Sequence, residues 1–485
     1  MKLHGLTPVA LYNLSAFAEN NYKNPDKSGN LETLRIMKIH FIGIGGIGVS
    51  ALAKYYLEKG CETSGSDLVS SEITKALEKM GTQIFIGKHT SKNVSKKINL
   101  IIHSPAIQAS NPEIKKAKEL RIKIQSYPET LGELTKKYFT IAVAGAHGKS
   151  TTTSMIGILL TKAGFDPTVI VGTKVKEFGN SNCKVGKSKY LVIEACEHEA
   201  SFLNYWPQII VLTNIEKEHL DYYKNLKNIL KAFQSFISHL PKNGILVINK
   251  DDKNIQKILN NFCFQIQEYF LRQKEAKILK KILKVPGIHN VYNALAALTV
   301  ARILKIPDKI SFDALSHYQG AWRRFEIKKC LIPGSQKKIT IINDYGHHPT
   351  EVKVTLNAAR EKFPKKKIWV VFQPHQYQRT FFLFKDFIKV LSEAPVDKII
   401  INDIYDVAGR EKKTIKKVVS SEKLVQEIRK KVGEKVIYIS DIKKTLNYLK
   451  KNLKENEVLM IMGAGDVYNL TSVFPLDRKQ IKNKN

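Results

Sequence analysis

An apolar run of small side chains, Ile141-Ala142-Val143-Ala144, breaks into Gly145-Ala146-His147-Gly148-Lys149-Ser150-Thr151 and passes directly into a helix-forming stretch, Thr152–Leu160. Strand, glycine turn and helix N-terminus in that order leave few folds open. The backbone N–H groups of such a turn and the positive end of the helix dipole form a cradle for phosphate oxygens. Lys149 is then placed to reach the outer phosphates, and the Ser150 hydroxyl to sit on a magnesium ion. The loop is contracted, because two residues separate Gly145 from Gly148 where the general phosphate-loop pattern has four.

A chain of 485 residues accommodates two or three domains, each with its own core. No run of 18 or more apolar residues occurs, and the first 20 residues lack the basic start, apolar core and small-residue cleavage site of an export signal. The expectation is a cytoplasmic protein with no membrane insertion. Its five cysteines are dispersed with no C-x-x-C pair, which fits reduced thiols. The net charge of +35 raises nucleic acid as a partner, but 68 of the 79 basic residues are lysines scattered over helix faces and the tail. With no zinc-finger spacing and no aromatic-basic RNA signature, no nucleic-acid partner is expected. A smaller basic focus for an anionic, phosphate-bearing substrate remains.

Residues 1–36 read as a mobile leader. Over 37–125 the strand Lys38–Ile44 runs into Gly43-Ile44-Gly45-Gly46-Ile47-Gly48 and the helix Val49–Lys59, with Asp67 lying 19 positions past the last glycine. This is a Rossmann-type fingerprint, fit for NAD or for another nucleotide diphosphate. Ser104 follows a strand at the carboxyl edge of the same sheet. Over 126–318 the strands Tyr190–Glu194 and Gln208–Thr213 leave Glu194 and, in NIEKEHLDYY, His219 just past strand ends, on the rim that carries the phosphate loop; there they could complete magnesium coordination. His289, Asn290 and Asn293 open an apolar helix, where they either cap it or read a base edge. Over 319–475 two strands end in His-rich turns, DYGHHPTE and QPHQYQR, which look like the walls of a pocket. Residues 476–485 read as a disordered tail.

The turn Gly43–Gly48, the contracted loop GAHGKST and the pair NIEKEHLDYY and DYGHHPTE together resemble the Mur ligases of peptidoglycan synthesis, over about Lys38 to Phe474. Within that family the motifs are most similar to those of the members that add L-alanine to UDP-N-acetylmuramate. The resemblance implies an α/β fold of three domains: a Rossmann-like N-terminal domain for the UDP-sugar, a central P-loop ATPase-type domain and a Rossmann-like C-terminal domain for the amino acid. It implies ATP and Mg2+ as cofactors, UDP-N-acetylmuramate and L-alanine as substrates, an acyl phosphate between them, and a monomer or homodimer. By position it implies that Gly145, His147, Gly148, Lys149, Ser150 and Thr151 hold the triphosphate and that Ser150, Glu194 and His219 bind magnesium. Lys149, Glu194 and His219 are the catalytic set. His289 and Asn293 would contact adenine, Arg324 a phosphate and Asp344 the ribose. Tyr345, His347, His375 and Arg379 would hold the amino acid; Gly45, Gly46, Gly48, Asp67 and Ser104 would face the UDP-sugar.

Four departures stand out. The segment between Asp252 and Val285 is shorter than the family implies, so the central domain is expected to lack a strand or two. The loop carries Ser150 where threonine is usual, which keeps the hydroxyl. The acidic E-A-D-E-S-D is here Glu194-Ala195-Cys196-Glu197-His198-Glu199, and Gln376 replaces an arginine that helps hold the amino acid's carboxylate, removing a charge-assisted fork. The alternatives are a ligase that recycles tripeptide onto UDP-N-acetylmuramate, an NAD-dependent oxidoreductase, which leaves Lys149 and Glu194 without a role, and a basic nucleic-acid-binding ATPase, which leaves the His-rich turns unexplained.

Overall fold

Runs of branched apolar residues punctuated by glycine turns form buried parallel strands, and between them helices with one apolar face cover the sheets. The computed structural model describes residues 37–259, 262, 264–406 and 413–477. The expected leader, 1–36, and all but the first two residues of the expected tail lie outside the described residues. Among those described, the strands form three sheets.

The first sheet holds β1 (Lys38–Ile42), β2 (Glu62–Asp67), β3 (Gln83–Ile86), β4 (Leu100–His103) and β5 (Lys123–Ser126), ordered β3-β2-β1-β4-β5 and parallel throughout. The order reverses direction at β1, the topological switch point at which such sheets take their ligands. β1 stops two residues short of the expected Ile44, because Gly43 turns the chain at φ +76°.

The second sheet holds β6 (Phe139–Ala144), β7 (Thr168–Val175), β8 (Ser181–Lys184), β9 (Tyr190–Glu194), β10 (Ile209–Leu212), β11 (Ile245–Asn249) and β12 (Gln265–Tyr269), in the order β12-β11-β10-β6-β9-β7-β8. Only β7 and β8 pair antiparallel. β6 is buried along its whole length at the centre. The hairpin β7–β8 and the edge strand β12 were not expected from the sequence; β12, QIQEY, is half-exposed and falls in what reads as a lysine-rich connection. These two sheets lie in one compact unit with Leu226–Ala276 and Tyr292–Ser316. Within it, Lys54 donates to Ser181 Oγ (3.0 Å) and Asn182 Oδ1 (2.9 Å), tying the first sheet's helix Ile47–Glu58 to β8.

The third sheet, in a second unit with Lys217–Asn225 and Lys277–Val291, holds β13 (Glu326–Leu331), β14 (Lys338–Asp344), β15 (Ile368–Phe372), β16 (Lys398–Ile401), β17 (Val436–Tyr438) and β18 (Val458–Met462), ordered β13-β14-β18-β15-β16-β17. All pairs are parallel except β13 with β14. Val370, Phe372, Met460 and Met462 pack on one face of it; Trp369, Val371, Leu459 and Ile461 pack on the other. The architecture is therefore three-domain α/β, as expected. No helix of the described residues is long and apolar enough to cross a membrane.

Candidate active site

β6 delivers the phosphate loop, and the neighbouring strand end shapes it. Gly145 sits at φ +140° and Gly148 at φ +84°, conformations open to glycine at little cost. Past β10, Thr213 Oγ1 donates to His147 O (2.6 Å) and Asn214 Nδ2 to the same carbonyl (2.9 Å), while Asn214 Oδ1 accepts from His147 N (2.9 Å) and Asn214 O from Ala146 N (3.0 Å). A Cβ on Gly145 would stand 2.1 Å from Thr213 Oγ1, and one on Gly148 would stand 2.4 Å from Asn293 Oδ1. The helix opens at Lys149, three residues earlier than expected, so Lys149, Ser150 and Thr151 form its first turn.

Lys149 Nζ donates to Gly145 O (2.5 Å) and Ala146 O (3.0 Å) and lies 2.9 Å from Glu197 Oε2. Burial alone would depress this ammonium; Glu197 and Glu194 outweigh it and hold the group above the ordinary lysine value, so it stays charged. Glu197, 2% exposed, was not singled out in the sequence. Glu194 ends β9 and accepts from Gly172 N–H through Oε2 (2.8 Å). Asn293 belongs to the same unit, its Oδ1 accepting from the Thr152 hydroxyl (3.2 Å) beside the loop. Asn290, in the first turn of the helix Ile288–Ile303, donates Nδ2 to Pro286 O (2.7 Å).

The glycine turn of the first sheet is equally constrained. Gly43 and Ile44 donate to Ser66 O (2.8 and 3.1 Å), and Gly45 donates to Asp67 Oδ2 (2.8 Å). A Cβ on Gly48 would meet the Tyr127 ring at 2.8 Å. Ser104 follows the end of β4, and a Cβ on Gly43 would stand 3.1 Å from its Cβ. Beneath the turn lies a buried network that sequence reasoning missed: Glu113 accepts from Ser66 Oγ (2.6 Å), Asn93 Nδ2 (2.7 Å) and His40 Nε2 (3.2 Å). Burial alone would raise the Glu113 carboxyl, but hydrogen bonds from His40, Ser66 and Asn93 pull it down to about 2. It therefore stays an anion and fixes His40 with its proton on Nε2. The only sequence signal was His40, a polar residue inside the otherwise apolar run of β1.

In the second unit, β14 and β15 bring Tyr345, His347, His375 and Arg379 together as expected. The His347 ring lies 5.4 Å from that of Tyr345 and 5.7 Å from that of His375, which stacks on Tyr405 at 5.5 Å and 9°. Burial, with Arg379 nearby, pushes His347 down to about 4; burial, His347 and Arg379 push His375 down to about 2. Both imidazoles are thus neutral at physiological pH. Arg379 Nη1 donates to His375 Nδ1 (3.2 Å), and its Nε and Nη2 donate to Glu218 Oε1 (3.0 and 2.9 Å). Gln376 adopts φ +70° and donates its N–H to Tyr405 O (3.0 Å).

Asp344 closes β14, accepting from Phe325 N (2.9 Å) and Gly346 N (2.8 Å), and burial lifts it to about 6. Arg324 lies 5.2 Å over the Tyr345 ring and 3.4 Å from Glu351. His289 shares this unit and is pushed down to about 4 by burial and Arg324. Arg323, next to Arg324 and 8% exposed, places its guanidinium between the Tyr345 and Tyr468 rings, 4.8 Å from each, and bonds the Gly463 and Gly465 carbonyls. His219, at φ +53° in the segment Lys217–Asn225, is also in this unit. The expected nucleotide and metal residues are thus shared out: Gly145–Thr151, Glu194 and Asn293 in the first unit, His219, His289, Arg324 and Asp344 in the second.

Comparison with known proteins gives matches along the chain. Residues 38–139 match the model of the Mur ligase family catalytic domain, 143–301 that of the Mur ligase middle domain, and 323–465 that of the Mur ligase glutamate ligase domain. A protein of Acetivibrio thermocellus named UDP-N-acetylmuramate--L-alanine ligase is 40% identical over 93% of this chain and 98% of its own. The crystal structure of a UDP-N-acetylmuramate-alanine ligase from Thermotoga maritima superposes with a TM-score of 0.73 at 26% identity, covering 93% of this chain and all of that one. A murein peptide ligase from Psychrobacter arcticus shares the fold, with a TM-score of 0.66 at 21% identity over 90% of this chain and 98% of its own. By these matches, the chain belongs to the Mur ligase family.

Proposed function

We propose that this chain is an ATP-dependent ligase that joins L-alanine to the carboxylate of UDP-N-acetylmuramate during cytoplasmic synthesis of peptidoglycan precursors. The observation that carries the reading is the phosphate loop: a glycine cradle held in shape by Thr213 and Asn214, with a charged Lys149 at the helix mouth. The substrates follow from the names of the full-length relatives. We set the domain limits at 37–125, 126–318 and 319–475.

A carboxylate is a poor electrophile, so one difficult step is divided into two. The muramate carboxylate attacks the γ-phosphorus of ATP and ADP leaves; the amine of L-alanine then attacks the acyl carbon of the mixed anhydride, loses a proton and expels phosphate. Lys149 exchanges the Gly145 and Ala146 carbonyls for phosphate oxygens and offsets the charge of two approaching anions. Magnesium fits the residues present, since Ser150 and Glu194 offer hard oxygen donors, and among the described residues neither the Ser150 hydroxyl nor Glu194 Oε1 has a hydrogen-bond partner. Ser150 and Glu194 would hold it, the resemblance adds His219, and the ion would supply further charge screening of the phosphates. His289 and Asn293 are assigned to adenine, Arg324 to phosphate, and Asp344 to ribose. Gly45, Gly46, Gly48, Asp67 and Ser104 are assigned to the UDP-sugar.

Phosphate release from ATP, followed with UDP-N-acetylmuramate and a panel of L-alanine, L-serine, glycine and the tripeptide, tests the reading. Release is expected only with both acceptor and amine present, fastest with L-alanine. Faster turnover with the tripeptide would assign the chain to recycling instead.

A further inference from the structure

The amino-acid site that the resemblance implies leaves the substrate's charged amine without a partner: Tyr345, His347, His375 and Arg379 include a cation and neutral rings but no anion. The structure puts one beside them. Glu218 is 7% exposed, and Arg379 reaches it with two N–H groups, both on Oε1. Among the described residues nothing donates to its second oxygen, Oε2. Of the five N–H donors of Arg379, four are engaged, by Glu218 Oε1, His375 Nδ1 and His375 O, which leaves one on Nη2. Both partners therefore keep one open position at the same ion pair, and both line one open hollow together with Gln376, Gln378 and Phe382.

We propose that Glu218 is the ammonium-binding residue of the amino-acid site, set opposite Arg379 as the carboxylate-binding residue, so that the site takes its substrate as a zwitterion. The charges match: a neutral ion pair meets a neutral dipolar ligand, and no net charge is left buried. Asp221 also lines the hollow, but it is exposed, and its field is screened by water. The replacement of an arginine by Gln376 fits the same balance, because the one acid at the pair is matched by the one guanidinium. The inference rests on the assignment of Arg379 to the amino acid.

The test uses the full chain with ATP and UDP-N-acetylmuramate, L-alanine as substrate, and propionate, which lacks the ammonium, as competitor. Glu218→Gln is expected to raise the KM for L-alanine by about tenfold or more, the worth of a charged hydrogen bond, while the KM for ATP and the inhibition constant of propionate stay unchanged. Glu218→Asp, which keeps the charge and the pairing needed for folding, is expected to raise the L-alanine KM to a lesser degree and again to spare propionate. Equal weakening of alanine and propionate would mean that Glu218 merely orients Arg379, and an unaltered alanine KM would mean that it has no part; either result overturns the proposal. Arg379→Gln separates this from the underlying reading: it should weaken both ligands, and if it weakens neither, the amino-acid assignment itself fails.

Discussion

Lys149→Ala is expected to lower turnover by about 10³-fold, the size of effect seen when one donor to a developing charge is removed. In the structure this ammonium bonds Gly145 O, Ala146 O and Glu197, all groups of the loop or its rim. Its charge is secured by Glu197, so the cation is preformed before any phosphate arrives. Removing it has a second consequence. Glu197 is 2% exposed and would be left as a buried anion without its cation, which costs about 3 kcal/mol. The denaturant midpoint should therefore fall together with the rate. Lys149→Arg separates the two effects: it keeps the charge beside Glu197 and restores stability, but a planar fork does not fit a loop built around a point ammonium, and turnover should stay low. Near-normal turnover in Lys149→Ala would refute the assignment of the loop.

Gly145→Ala is expected to raise the KM for ATP by about 10²-fold with the three sheets intact, as judged by circular dichroism. The added Cβ would fall 2.1 Å from Thr213 Oγ1 and 2.8 Å from Asn214 O, at a φ of +140° that side chains avoid. Neither neighbour can retreat, because both hold the His147 and Ala146 backbone. The loop itself must shift, and a displacement of about 1 Å at such a site costs about 10²-fold. Nucleotide binding read by fluorescence or calorimetry checks this, and unchanged affinity would mean that the cradle is not where the triphosphate sits.

What the sequence showed and what it hid follow in part from one physical division; the buried strand TVIVGTKV, interrupted by Gly172, also went unseen. Strands buried on both faces, such as IAVA and IIVL, are continuous apolar runs and were legible as strands. The edge strands SNCK, QIQEY and EIKKCL carry solvent on one side and lack that signal, so β8, β12 and β13 went unseen. The start of the loop helix moved to Lys149 because Gly148, not the threonine run, sets the boundary. Among the candidate groups, the residues that the resemblance assigns were legible and the contacts that hold them were not. Asn214 shapes the phosphate loop, Glu113 anchors the strand that bears Asp67, and Glu218 pairs with Arg379, yet each acts across at least 47 residues of sequence, on a partner only the fold supplies.

The claim that the muramate carboxylate itself attacks the triphosphate can be tested by isotope. UDP-N-acetylmuramate carrying oxygen-18 in that carboxylate, turned over with ATP, magnesium and L-alanine, should yield phosphate containing one labelled oxygen per peptide bond formed, because the oxygen that bonds phosphorus leaves with it. Phosphate free of label, released while the bond still forms, would contradict the account.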